Sequence, residues 1–162
     1  MNIFEKNPIH VASIGEMEQL AQKLAPMLRE GGAVFFQGPL GVGKTTFVRL
    51  ICQALGVTRP VTSPSFDLLH IYETETLMIY HVDGYRLREV SEWDVLDLPA
   101  DLTGTLLLAE WAEAILADYP ERLEVTLAFG PERSHERLVT LTFVGSRWTT
   151  GRQVRGGRDD GF

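Results

Sequence analysis

The sequence predicts an α/β fold of three layers, in which a mixed, mainly parallel central sheet carries helices on both faces. Short, continuously apolar runs such as 33–37 (AVFFQ) and 105–109 (TLLLA) read as strands buried on both sides. Amphipathic stretches at helical spacing lie between them. A glycine-rich turn joins the first run to one of those stretches, which is the order strand, turn, helix.

Each element has its own local cause. Ser13 and Glu16 fit the S-x-x-E capping box, so a helix starts there. Ile14, Met17, Leu20, Leu24 and Leu28 then fall on one face. Pro26 removes a helical hydrogen bond and should kink the last turn. Gly31 and Gly32 stop the helix. After the 33–37 strand and its turn, Phe47, Ile51 and Leu55, with Val48 and Cys52 beside them, mark a second helix. Residues 66–72 and 76–83 read as a hairpin across the polar link 73–75. A short helix capped by Ser91 is expected next, then the 105–109 strand and a short helix over 111–121. A final strand pair covers 123–129 and 137–144.

Length and composition bound the rest. At 162 residues the chain is one domain, long enough to bury roughly 70% of its unfolded surface. The expected body is 1–145, followed by a basic, glycine-rich tail over 146–162. The single cysteine, Cys52, excludes an internal disulfide framework and an all-cysteine zinc site. No apolar run approaches the roughly 18 residues of a membrane span, so no membrane partner is expected. The first ten residues lack the basic-then-apolar order of a signal peptide, which makes a cytoplasmic location the expectation. The net charge of −7 argues against unaided wrapping of nucleic acid. Four Arg against two Asp put +2 on 147–162 and leave −9 on the remainder.

The turn after the first buried strand, GPLGVGKT over 38–45, matches G-x-x-x-x-G-K-[ST] at every position. Such a turn points backbone amides at phosphate oxygens, and the following helix N-terminus favours negative charge. Lys44 is assigned to the terminal phosphates and the Thr45 hydroxyl to Mg²⁺. The fold class sharpens accordingly to a P-loop NTPase-like sandwich.

A P-loop Mg²⁺ takes a further oxygen from an acid at a strand end. Asp83 closes LMIYHVD and Glu110 closes LLLAE, and both should converge on the phosphates. Asp83 is assigned to Mg²⁺, through water. Gly84 follows it, so the Asp-Glu pair that often supplies a base is missing. Glu110 substitutes, either orienting the attacking water or completing the metal shell. No N-K-x-D guanine motif is present, which leaves ATP as the nucleotide. Ser63, Pro64, Ser65 and Phe66 form a candidate loop that senses the terminal phosphate. His81 shares a strand face with Asp83 and reads as a hydrogen-bonding residue behind the site.

In this order, GPLGVGKTTFVR, VTSPSFDLLHIY, IYHVDGYRL and LLLAEWAE resemble the bacterial TsaE (YjeE) family, over about residues 13 to 144. The resemblance implies a Mg²⁺-dependent ATPase, weak alone, that serves synthesis of threonylcarbamoyladenosine in tRNA. It implies TsaD and TsaB as protein partners, with tRNA engaged only indirectly. It carries nucleotide binding onto Gly38, Pro39, Leu40, Gly41, Val42, Gly43, Lys44, Thr45 and Thr46, and the switch onto Ser63 to Phe66. It carries the metal onto Asp83 and function onto Glu110 and Trp111. A glycine-to-arginine segment near the nucleotide fits Gly130 and Arg137, with Arg133 as a rival. Two departures stand out: Ser65 replaces the usual threonine, and Pro39 stands where an acid is common and donates no amide. Two other functions share these motifs, a small-molecule kinase and a nucleotide-dependent binding module with negligible turnover.

Overall fold

The computed structural model describes residues 7–131 and 135–148. One seven-stranded sheet runs in the order β1-β7-β6-β2-β5-β4-β3. Its strands are β1 (Ile9–Val11), β2 (Gly32–Gln37), β3 (Leu69–Glu73), β4 (Met78–Asp83), β5 (Thr105–Glu110), β6 (Arg122–Phe129) and β7 (Arg137–Val144). The four central strands, β6, β2, β5 and β4, are mutually parallel. Antiparallel pairs finish both sides, β3 on β4 at one and β7 with β1 at the other.

Helices α1 (Ile14–Leu28) and α2 (Lys44–Ala54) cover one face. Their apolar sides close the larger core, with Leu24, Leu28, Phe47 and Ile51 against Val34, Phe36, Leu106 and Leu108. Burying each such side chain stabilises by about 1.5–3 kcal/mol. The other face is covered by α3 (Val90–Asp94), a 3-10 helix (Glu113–Asp118) and loops, which pack Trp93, Ile115 and Tyr119 on Phe35, Val82 and Leu107. This is the predicted three-layer arrangement, with an irregular second cover. No helix among the described residues is long and apolar enough to cross a membrane.

Several local expectations change in detail. Ser13 caps α1 by accepting the Glu16 amide at 3.2 Å, but the Glu16 carboxylate accepts the amide of Ala12 rather than that of Ser13. The helix carries through Pro26 to Leu28. The hairpin is present, but its first strand begins at Leu69. Residues 64–68 instead form a turn, closed by Leu68 N–H on Pro64 O at 2.5 Å, with Leu68 at φ 68°. The cap of α3 is Glu89, not Ser91, because the Glu92 side chain returns to the Glu89 amide at 2.8 Å. The segment 111–121 forms the short 3-10 helix rather than an α-helix. Strand β1 was not foreseen; three residues acquire their structure only by pairing with β7. Of the predicted tail, 146–148 pack on the body, where Trp148 is buried against Phe143 and Ser146 reaches Glu121. The remainder of that segment, and Arg133, lie outside the described residues.

Candidate nucleotide site

The turn between β2 and α2 takes its shape from glycine. Gly43 is the N-cap of α2 at φ 111°, a left-handed conformation that side chains resist, and it carries no side-chain cap. The first amides of α2 are thus left for a ligand. Around Gly41 and Gly43 no described atom beyond the adjoining residues lies within 4 Å of the position a Cβ would take, so the hollow of the turn is open. Lys44 folds back over the loop and donates to Gly38 O at 2.5 Å and Pro39 O at 3.1 Å. Its ammonium also sits 4.0 Å from the centre of the Trp111 ring. Burial lowers the Lys44 pKa, opposed by the charges of Glu110, Asp83 and Glu113.

Sheet order places the acids. β5 lies beside β2, and β4 lies beyond it, with Asp83 and Glu110 opposite each other in register. The Thr45 hydroxyl lies 2.9 and 3.1 Å from the two Glu110 carboxylate oxygens, to which it donates. Asp83 is engaged elsewhere: Ser65 Oγ donates to one oxygen at 3.1 Å and the Tyr85 amide to the other at 2.9 Å. Ser63 and Ser65 hydroxyls are 2.7 Å apart. The predicted switch residues therefore meet the site through Asp83, and the predicted metal threonine meets it through Glu110. Phe66 projects outward, 80% exposed, under the Arg86 guanidinium at 4.1 Å.

Gly84 has a steric cause. A Cβ there would overlap the Trp93 ring and the Trp111 carbonyl oxygen. The place where a second strand-end carboxylate would stand is filled by these two tryptophans. Trp111 itself adopts φ 52°, uncommon for a bulky residue, and meets Tyr85 edge-to-face with ring centres 5.1 Å apart. Behind Glu110, His81 Nε2 donates to Oε2 at 2.6 Å, and both side chains are almost fully buried.

Two cavities share the P-loop. One of about 300 Å³ is lined by Lys44, Thr45, Ser63, Ser65, Asp83, Tyr85, Glu110 and Trp111. The other, about 480 Å³, lies between the P-loop, the β1–α1 junction and Arg137, and is lined also by Val11, Ile14, Met17 and His135. Arg137 Nε donates to Val42 O at 2.8 Å, which ties β7 to the loop. Gly130 closes its own turn by donating to Glu136 O. Tyr85 and the β1–α1 junction were not foreseen as part of the site. Ile14, grouped by its spacing with the apolar face of α1, is instead 64% exposed and lines this cavity.

The donor set suits a hard cation bound with phosphates. Thr45, Glu110 and Asp83 supply only oxygen, and no group of three or more His, Cys, Asp or Glu among the described residues could hold a metal alone. Mg²⁺ in nucleotide sites takes few protein oxygens and completes its shell with phosphate and water.

The family model described as threonylcarbamoyl adenosine biosynthesis protein TsaE matches residues 11–139. A relative from Streptomyces coelicolor, named tRNA threonylcarbamoyladenosine biosynthesis protein TsaE, is 36% identical over 140 residues, covering 83% of this chain and 95% of its own. A relative of the same name from Bacillus subtilis is 36% identical over 134 residues, covering 82% and 83%. The crystal structure of Bacillus subtilis YdiB superposes with a TM-score of 0.70 at 28% identity, covering 93% of this chain and 95% of that one.

Proposed function

The chain belongs to the TsaE family of threonylcarbamoyl adenosine biosynthesis proteins, and from that premise we propose that it is a Mg²⁺-dependent ATPase of tRNA threonylcarbamoyladenosine synthesis. Turnover is slow in the isolated chain and is gated by TsaB and TsaD. The observation that carries this reading is the Thr45 hydroxyl on Glu110, set beside an open P-loop with Lys44 at its rim.

The phosphates occupy the cavity of Lys44 and Thr45, and the nucleoside occupies the one beside Arg137 and the β1–α1 junction. Thr45 and Glu110 would hold Mg²⁺, with Asp83 beside them as a further oxygen donor that would act through water. The ion supplies charge neutralisation at the phosphates when bound. Lys44 exchanges the carbonyls of Gly38 and Pro39 for the terminal phosphate. Asp83 couples the site to 63–66 through Ser65, so a change at the phosphate is passed to the exposed Phe66. Partners read that loop, and tRNA is reached through them.

Slow turnover alone has a structural reason in this reading. Gly84 leaves no room for a second acid, and Glu110 already holds Thr45 and His81. The same features favour a second reading, a nucleotide-dependent binding module with negligible turnover. Steady-state ATP hydrolysis by the chain alone, then with TsaB and TsaD, separates the two. Slow hydrolysis that rises with the partners supports the partner-gated ATPase. Tight Mg·ATP binding with no hydrolysis in either setting supports the binding module.

A further inference from the structure

We propose that His81 is a positioning residue for Glu110, held as the Nε2–H tautomer, and that it decides which carboxylate oxygen faces the cavity. The inference rests on the nucleotide site described above and deepens it.

Thr45 alone does not orient Glu110. Its hydroxyl has one proton and stands 2.9 Å from Oε1 and 3.1 Å from Oε2, so it serves either oxygen almost equally. His81 breaks that symmetry. Its Nε2 lies 2.6 Å from Oε2, a short contact of the kind a charged acceptor makes. With Oε2 held from behind, Oε1 is left to Thr45 and the cavity that Glu110 lines.

The ring is placed for this task. β4 alternates its side chains, so His81 faces the same side of the sheet as Asp83, and in register it opposes Leu108, two residues before Glu110. His81 is 0% exposed, and its Nδ1 has no hydrogen-bond partner among the described groups. A histidine kept only for packing would have both nitrogens satisfied, or would be replaced by an apolar residue at no loss. Here one nitrogen has no partner among the described residues, while the other is spent on a single carboxylate oxygen. A carboxylate oxygen only accepts, so the proton shared with Oε2 is carried by Nε2.

Two substitutions separate positioning from packing. His81→Leu fills the space without a donor. His81→Gln returns an amide N–H near the Nε2 position. With melting temperatures confirming folded protein, His81→Leu is expected to lower kcat by about 10–100-fold while KM moves by less than about threefold. It should also flatten the Mg²⁺ dependence of binding of a fluorescent ATP analogue. His81→Gln should recover both readouts to within about fivefold of the parent. Equal behaviour of the two variants, or an unchanged His81→Leu, overturns the proposal. Ring ¹⁵N NMR of the parent chain at neutral pH gives a test free of turnover. A proton on Nε2 is expected, and a ring protonated on Nδ1 alone overturns the proposal. Absence of ATP turnover in the parent chain would count against the ATPase reading and leaves the NMR test of His81 intact.

Discussion

The floor of the cavity beside Lys44 and Thr45 and its rim are held in different ways. On the floor, Glu110 and Asp83 are 2% and 4% exposed and stand at the ends of adjacent parallel strands. Each carboxylate is fixed by named donors, Thr45 and His81 for one, Ser65 and the Tyr85 amide for the other. On the rim, Leu40, Phe66 and Tyr85 are 70%, 80% and 57% exposed. The segment 63–66 meets the floor through Ser65 on Asp83. A rigid, desolvated floor keeps charges aimed, and a rim on few tethers can change shape at low cost. Under the proposed function, chemistry falls to the floor and signalling to the rim, with Ser65 and Asp83 3.1 Å apart between them.

Substitutions from the floor upward separate the two regions. Glu110→Gln keeps the shape and removes the charge. Turnover is expected to fall by about 100-fold or more while Mg-free nucleotide binding persists, read by steady-state hydrolysis and analogue titration. Gly84→Ala forces a Cβ into Trp93 and the Trp111 carbonyl, and should cost about 1–3 kcal/mol in urea unfolding. A stability equal to the parent would show that the two tryptophans do not enclose that position. Ser65→Ala cuts a tether to Asp83, worth about 1 kcal/mol as a hydrogen bond. It should lower stimulation by TsaB and TsaD more than it lowers nucleotide affinity. Phe66→Ala on the rim should leave stability within about 0.5 kcal/mol, because the ring is exposed, while reducing partner stimulation.

The smallest effect lies below the floor, at Cys52 on α2. Burial pushes its thiol up to about 12, so the sulfur stays protonated near neutrality. The native chain should resist thiol reagents at pH 8 and react in urea. Because the folded pKa is raised, the stability linked to this group is full below about 9 and declines as pH rises toward about 12.

What the sequence made legible was local. The P-loop is a contiguous string, β2 and β5 are continuous apolar runs, and α2 repeats on one face. What it hid depends on residues far apart in the chain. The strand β1 exists through β7, and the cavity it borders needs α1, the P-loop and Arg137 together. Two acids at strand ends were visible, but which one meets Thr45 follows from β5 lying between β2 and β4. The absence of an acid at Gly84 was plain, whereas its cause required the positions of Trp93 and Trp111. The choice of Glu89 over Ser91 as a cap turned on where the Glu92 carboxylate points.

In the proposed reading neighbouring carboxylates do unlike work: Glu110 holds the metal directly with Thr45, while Asp83, which reaches it only through water, couples to the switch through Ser65. The most direct test is the Mg²⁺ dependence of ATP-analogue affinity in Glu110→Gln and Asp83→Asn, measured beside partner-stimulated turnover. Glu110→Gln is expected to lose most of the Mg²⁺ enhancement, while Asp83→Asn keeps most of it and loses partner stimulation. Equal loss of Mg²⁺ enhancement in both, or a greater loss in Asp83→Asn, would contradict that reading.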